Sequence, residues 1–161
     1  MTKKTTLGSA PRGLARLAIR LPIWLYRLRL GWLLGDRFLM LTHIGRKTGQ
    51  PHQTVLEVVR HDQATGDYII ASGWGERADW FRNIQKNPHV LVASGERRRE
   101  AIAEQLPVAG AAEELCDYTR RHPHAVRALS RLMIGERLSG SVEDCRRLAE
   151  RVPILMLRAR R

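Results

Sequence analysis

The stretch Phe38-Leu-Met-Leu-Thr-His-Ile-Gly-Arg-Lys-Thr-Gly-Gln-Pro-His-Gln-Thr-Val-Leu-Glu-Val-Val-Arg60 decides the fold. Its first seven residues contain no Asp, Glu, Lys or Arg and read as a buried strand, Phe38–Ile44. Gly45-Arg-Lys-Thr-Gly49 then places two glycines and three polar residues in a row, the composition of a turn. From Gln53 to Arg60 the β-branched residues Thr54, Val55, Val58 and Val59 restore an extended pattern, so the stretch is a hairpin with a basic turn.

Downstream, Asp62–Asp67 supplies a second turn, Tyr68–Ser72 a third strand and Gly73-Trp-Gly75 a break. Asp79–Asn87 reads as a short helix, with Asp79 placed to cap its start, Lys86 in its last turn and Pro88 just beyond its end. Val90–Ala93 and Arg98–Gln105 form another hairpin around Gly95. Helices are expected at roughly Gly110–His122, Pro123–Met133 and Ser141–Arg151, and Pro153–Arg158 reads as a closing strand. Short antiparallel strands with a turn every dozen residues favour a barrel over a doubly wound sheet. The expected class is mainly β with peripheral helices, α+β. Strand edges left open in such a barrel would offer a surface for a homodimer.

Upstream, the run from Pro11 to Leu34 is rich in Leu, Ile and Trp, but Arg12, Arg16, Arg20, Arg27 and Arg29 interrupt it, so it is not a membrane span. On a helix, Arg12, Arg16, Arg20 and Arg27 share one side, while Leu14, Leu17, Leu21, Trp24, Leu25 and Leu28 take the other, with Pro22 as a kink. Such a basic amphipathic helix either packs on the domain or lies on an anionic bilayer, with Trp24 and Trp32 at the interface. Both readings stand at this stage. The chain thus divides into residues 1–37, the helix, and residues 38–161, the barrel. The length of 161 residues suits one domain.

Lys and Arg outnumber Asp and Glu by 28 to 16, a formal net charge of +12, which implies a negatively charged partner. Nucleic acid, an anionic membrane and a phosphorylated small molecule all satisfy that requirement. A nucleic-acid barrel needs surface aromatics interleaved with a basic stripe, and the strands offer only Phe38 and Tyr68 beside apolar runs, so no nucleic acid is expected. Cys116 and Cys145 lie on helical stretches far apart in sequence and read as buried, idle thiols in a reducing cytoplasm. The six histidines show no metal-ligand spacing, and no metal is assigned.

Two segments carry chemistry. The turn Gly45–Gly49 gathers two fixed cations, a hydroxyl and turn amides where an anion can be held. It lacks the order of the nucleoside-triphosphate loop. Ile70-Ala-Ser-Gly-Trp-Gly75 ends a strand in small residues, which lets a planar ring approach the backbone. Trp80, Phe81 and Ile84 of the following helix read first as core residues.

The joint order of Leu39–Pro51, Tyr68–Ser72 and Asp79–Val90 resembles the deazaflavin-dependent nitroreductase and quinone reductase family, over about residues 38–105. That resemblance implies a split β-barrel of the FMN-binding, pyridoxamine-phosphate-oxidase-like kind, with coenzyme F-420 as hydride donor and a quinone-like, nitroaromatic or enone acceptor. By matching position, Arg46, Lys47 and Thr48 would hold the coenzyme's phosphate and acidic tail. His52, Gln53, Thr54, Val55 and Leu56 would line the path to the ring; Ile70, Ala71, Ser72 and Gly73 would meet its edge; Asp79, Trp80, Phe81, Arg82 and Asn83 would close the pocket. The family often has Arg at the place of His52, Lys at Gly73 and an Asn-Pro pair near Thr54-Val55, so this chain offers fewer charge contacts. FMN is the alternative cofactor, because one phosphate-binding turn does not distinguish the two. Tyr118, His122 and His124 are the candidates near the acceptor, with His124 as proton donor. The expected location is the cytoplasm, peripheral on the inner face of the membrane if the 11–34 helix meets lipid.

Overall fold

The structure is a computed structural model that describes residues 37–123 and 140–160. The helix expected at 11–34, most of the one expected at Pro123–Met133, and His124 lie outside the described residues. Among those described, no helix is long and apolar enough to cross a membrane.

Six strands form one closed antiparallel ring: β1 (Phe38–Ile44), β2 (Pro51–His61), β3 (Tyr68–Ala71), β4 (His89–Ser94), β5 (Arg97–Gln105) and β6 (Ile154–Ala159), in the spatial order β1-β2-β3-β6-β5-β4. The ring closes where Met40, Leu41 and Thr42 of β1 pair with Ala93, Val92 and Leu91 of β4. Closure satisfies the backbone groups an edge would leave open, so the strand edges expected for a homodimer are absent from the barrel. A hairpin pattern is legible locally, whereas the β1–β4 pairing joins strands some fifty residues apart by roughly a count along the chain and leaves no local mark.

Alternation assigns each strand an inner and an outer face. Leu39, Leu41, Val58, Tyr68, Ile70, Val90, Val92, Ala101, Leu155 and Leu157 fill the interior. Helix α1 (Asp79–Lys86) closes one end, with Trp80, Phe81 and Ile84 in that same core. Each such burial contributes about 1.5–3 kcal/mol, which offsets the cost of ordering a helix of only eight residues. Asp79 is the first helical residue and not the cap; Ala78 holds the cap position without a side-chain bond, and the Asp79 carboxylate turns instead to Arg46.

Outside the ring, α2 (Val108–Arg121) and α3 (Val142–Ala149) cover β2, β3 and β6 through Ala111, Leu115, Leu148 and Ala149 on Val59, Ile69 and Ile154. Ile154 and Met156 therefore face helices while Leu155 and Leu157 face the barrel, which makes the last strand apolar on both sides. Ser141 caps α3, its hydroxyl accepting from the Asp144 amide at 3.1 Å. Cys116 and Cys145 are joined in a disulfide across α2 and α3, which corrects the expectation of two idle thiols. Each falls at the buried, facing position of its helix, and packing α2 on α3 brings their Cα atoms to 5.5 Å.

Candidate coenzyme site

One end of the barrel gathers the C-terminus of β1, the N-terminus of β2, the loop after β3, α1 and the start of β4. The basic turn 45–50 sits there. The Gly45 amide donates to the Gln50 carbonyl at 2.8 Å, and the Gly49 amide to the Gly45 carbonyl at 2.8 Å. Gly49 has φ +68°, a backbone that side chains rarely adopt. A Cβ at Gly45 would stand 2.6 Å from Thr48 Oγ1 and 2.7 Å from His52 Nε2, so any larger residue there would displace those two side chains.

This turn is tied to α1 through Asn83, a polar residue 5% exposed. Asn83 Oδ1 accepts from the Arg46 amide at 3.0 Å and from Arg46 Nη1 at 2.9 Å. Arg46 Nη2 meets Asp79 Oδ1 at 3.0 Å, and Lys86 Nζ donates to the Arg46 carbonyl at 3.2 Å. Behind Asn83 lies His43, 4% exposed on the inner face of β1, its Nδ1 at 3.1 Å from Asn83 Nδ2. Burial, reinforced by the neighbouring His52 and opposed by Asp79, pushes His43 down to about 4. It is therefore neutral at neutral pH. The His52 ring lies near it, with centroids 6.0 Å apart and an interplanar angle of 22°.

Arg46 is thus less available to a ligand than its place in the motif suggests: α1 takes three of its side-chain N–H contacts. Lys47 is exposed and makes no ion pair among the described residues, and the Lys47 and Thr48 amides have no protein acceptor there. Thr48 Oγ1 accepts from the Gln50 amide at 3.3 Å and lies 3.4 Å from His52 Nε2. The cations, two amides and a hydroxyl converge on one small surface.

The other expected residues divide by burial. His52 is exposed and Gln53, Thr54, Val55 and Leu56 are half-buried along β2. Ile70 and Ser72 are fully buried; the Ser72 hydroxyl donates to the Gly75 carbonyl at 2.7 Å and its amide to the Pro153 carbonyl at 2.8 Å. Ala71 and Gly73 keep some surface. Trp80 and Phe81 are core residues, whereas Asp79 and Arg82 are exposed. Trp74, passed over in the sequence as part of a flexible break, is 42% exposed beside Gly73.

Tyr118 and His122 are not brought to this end. The Tyr118 hydroxyl donates to Glu57 Oε1 at 2.7 Å, and burial followed by that bond raises its pKa. Glu57 pairs with Phe38 at the far end of β1, six residues or about 20 Å along the strand from Pro51. One residue escaped the sequence reading: His43, which follows Leu39 and Leu41 at the inward spacing of two, a polar residue in phase with a core face. Asn83 was expected at the pocket, and the structure buries it between Arg46 and His43.

Among solved structures, the chain is similar to an F420-H2 dependent reductase, FDR-A, with a TM-score of 0.53 and 17% identity over 76% of this chain and 95% of the other. A structure described as a domain-swapped dimer matches with a TM-score of 0.53 and 16% identity over 84% and 98%. A conserved hypothetical protein of Mycobacterium tuberculosis matches with a TM-score of 0.51 and 14% identity over 100% and 87%. These likenesses establish the split-barrel fold. The sequence profile of the F420H(2)-dependent quinone reductases matches residues 20–130, well over half of the chain. The chain belongs to the F420H(2)-dependent quinone reductase family, an oxidoreductase family whose cofactor is the reduced deazaflavin coenzyme F-420.

Proposed function

We propose that this protein binds coenzyme F-420 by its anionic tail at the 45–50 turn and delivers its hydride to a conjugated, electron-poor acceptor, a quinone first and a nitroaromatic or enone second. The observation that carries the reading is the turn itself: exposed Lys47 and the amides of Lys47 and Thr48, which meet no acceptor among the described residues, on a loop locked to α1. The donor set is cation, amide and hydroxyl, and the carboxylate of the exposed Asp79 is paired with Arg46 at 3.0 Å, so it fits a phosphate or carboxylate. The fit is electrostatic first. The family match favours the deazaflavin over FMN.

In this reading Lys47 and Thr48 hold the tail, and Arg46 shapes the turn while offering its remaining N–H groups. His52, Gln53, Thr54, Val55 and Leu56 line the path along β2. Ala71 and Gly73 meet the ring edge with backbone, Ile70 and Ser72 hold that backbone in place from behind, and exposed Trp74 stands beside it. From α1, Asp79, Arg82 and Asn83 border the site while Trp80 and Phe81 anchor the helix. When bound, the coenzyme supplies the hydride; the protein supplies position, exclusion of water and charge. The acceptor's new negative charge is met by an amide or by protonation from solvent, with His124 as the proposed proton donor. The domain-swapped relative supports a homodimer.

The test is a fluorescence titration of the full chain with oxidised coenzyme F-420 and, in parallel, FMN. Tight deazaflavin binding that falls about tenfold or more in Lys47→Ala is expected, the worth of a charge-assisted contact. Preference for FMN, or no binding of either, sinks the assignment. Lys47→Ala is the cleaner variant, because Arg46→Ala also dismantles the contact with α1.

A further inference from the structure

We infer that His43 is a positioning residue for the coenzyme site: buried behind Asn83 and His52, it sets the orientation of the Asn83 amide and, through it, the shape of the Arg46–Thr48 turn. The inference rests on the reading that the turn binds the coenzyme's tail.

The geometry leaves Asn83 one orientation. Both Arg46 donors, the backbone amide at 3.0 Å and Nη1 at 2.9 Å, point at one atom of the Asn83 amide, which must therefore be its oxygen. The amide nitrogen then faces His43 Nδ1 at 3.1 Å, and since an NH2 group only donates, Nδ1 must accept. A neutral ring with its proton on Nε2 satisfies this, and the depressed basicity of His43 is consistent with it. Were Asn83 to flip, its NH2 would face the two Arg46 donors and those contacts would be lost, while its oxygen would meet Nδ1 only after the ring proton moved there from Nε2. His43 thus holds the amide against flipping from behind while Arg46 reads it in front. The consequence reaches the ligand surface, because the Arg46 amide anchors the first residue of the turn whose next two amides meet no acceptor among the described residues.

The experiment measures coenzyme F-420 affinity by fluorescence, and unfolding by urea, on the full chain carrying His43→Leu, His43→Asn, Asn83→Ala and the double variant. His43→Leu removes the acceptor and is expected to weaken binding about fivefold to tenfold, the worth of one hydrogen bond. His43→Asn places a carbonyl oxygen near the Nδ1 position and is expected to restore most of that loss, which a merely space-filling role would not do. In the Asn83→Ala background, His43→Leu is expected to have little further effect on affinity, since the histidine acts through the amide. If His43→Leu fails to fold, the His43→Asn and Asn83→Ala pair carries the test: near-native affinity in the first and weakened affinity in the second are required. Wild-type binding that is unchanged in His43→Leu, or additive losses in the double variant, overturns the inference alone. Absence of binding by the unaltered chain overturns the underlying reading and the inference with it.

Discussion

The two ends of the barrel are both basic and differ in how the charge is held. At one end Arg46 and Lys47 sit on a turn bound to a helix through Asn83 and His43, both nearly inaccessible to solvent. At the other, Arg97, Arg98 and Arg99 stand exposed on β5 near the pair Arg160–Glu100 at 3.4 Å, and the pair Arg158–Glu104 at 2.9 Å lies farther along the same two strands. Thr65, Arg98, Arg99, Glu100, Ala159 and Arg160 line a shallow groove of about 500 Å³ there. Every side chain in those two pairs is more than half exposed, so each pair is worth about 0–1 kcal/mol. That end is held by acids instead: Asp62 Oδ1 accepts the Ala64 amide at 2.9 Å, and Asp67 Oδ1 the Ala159 amide at 2.9 Å. A net charge of +12 marks neither end as the site. Buried polar wiring is what distinguishes the two, because its desolvation cost is tolerated only where the groups are fully paired.

The largest expected effect is on stability against pH. His43 titrates near its ordinary 6.5 in the unfolded chain and at about 4 in the folded protein, so between those values the unfolded state binds the extra proton. Its contribution is present above pH 6.5, is lost as the pH falls towards 4, and changes no further below. The difference corresponds to on the order of 3 kcal/mol. Urea unfolding at pH 7 and pH 4.5, compared between the wild type and His43→Leu, isolates it from the carboxylates. The variant should lose distinctly less stability on acidification, and equal losses would break the contrast drawn between the ends.

Next in size is Asn83→Ala. It strips the acceptor from the Arg46 amide and the donor from His43, leaving buried polar groups unpaired at a cost of about 1–3 kcal/mol. For a chain of this size that lowers the melting temperature by roughly 2–4 °C per kcal/mol. Arg98→Ala at the opposite end should stay within about 0.5 kcal/mol of the wild type. Calorimetry on both variants checks the pair, and comparable shifts would erase the distinction.

Why the wiring escaped the sequence while the barrel did not is a matter of range. The six strands, α1, α2 and α3 are written in local signals: the Gly45–Gly49 and Asp62–Asp67 turns, the apolar alternation of Tyr68–Ala71, Pro88 after α1. Their bounds fall within about two residues of expectation, as such signals allow. The turn reads as a candidate anion site because its residues are contiguous. His43 and Asn83, forty residues apart, meet only because α1 plugs the end at which β1 finishes. Cys116 and Cys145 likewise pair only because α2 and α3 pack together across a separation of 29 residues. Burial was misjudged in one respect, since Ser72, expected at the ring edge, spends its hydroxyl on the Gly75 carbonyl of its own loop.

The smallest expected effect is the most discriminating. Replacing Arg97, Arg98 and Arg99 together by alanine removes three positive charges, where Lys47→Ala removes one. If net charge drew the coenzyme, the triple variant would bind it more weakly than the single one. The strands place these arginines at the opposite end, since Ser94 pairs with Arg97 whereas Ile44 and Pro51 flank the turn. The six steps along the seven residues of β1 span about 20 Å, roughly two and a half Debye lengths at physiological ionic strength. Screening over that distance leaves little of their field at the turn, so coenzyme affinity at 0.15 M salt should change less than about twofold. At 0.01 M salt the Debye length grows to about 30 Å and a modest weakening should emerge, through slower association and not faster release. Stopped-flow titrations at both salt concentrations measure it, and a triple variant that binds as poorly as Lys47→Ala at 0.15 M salt would place the anion site on the groove at the far end instead of on the wired turn.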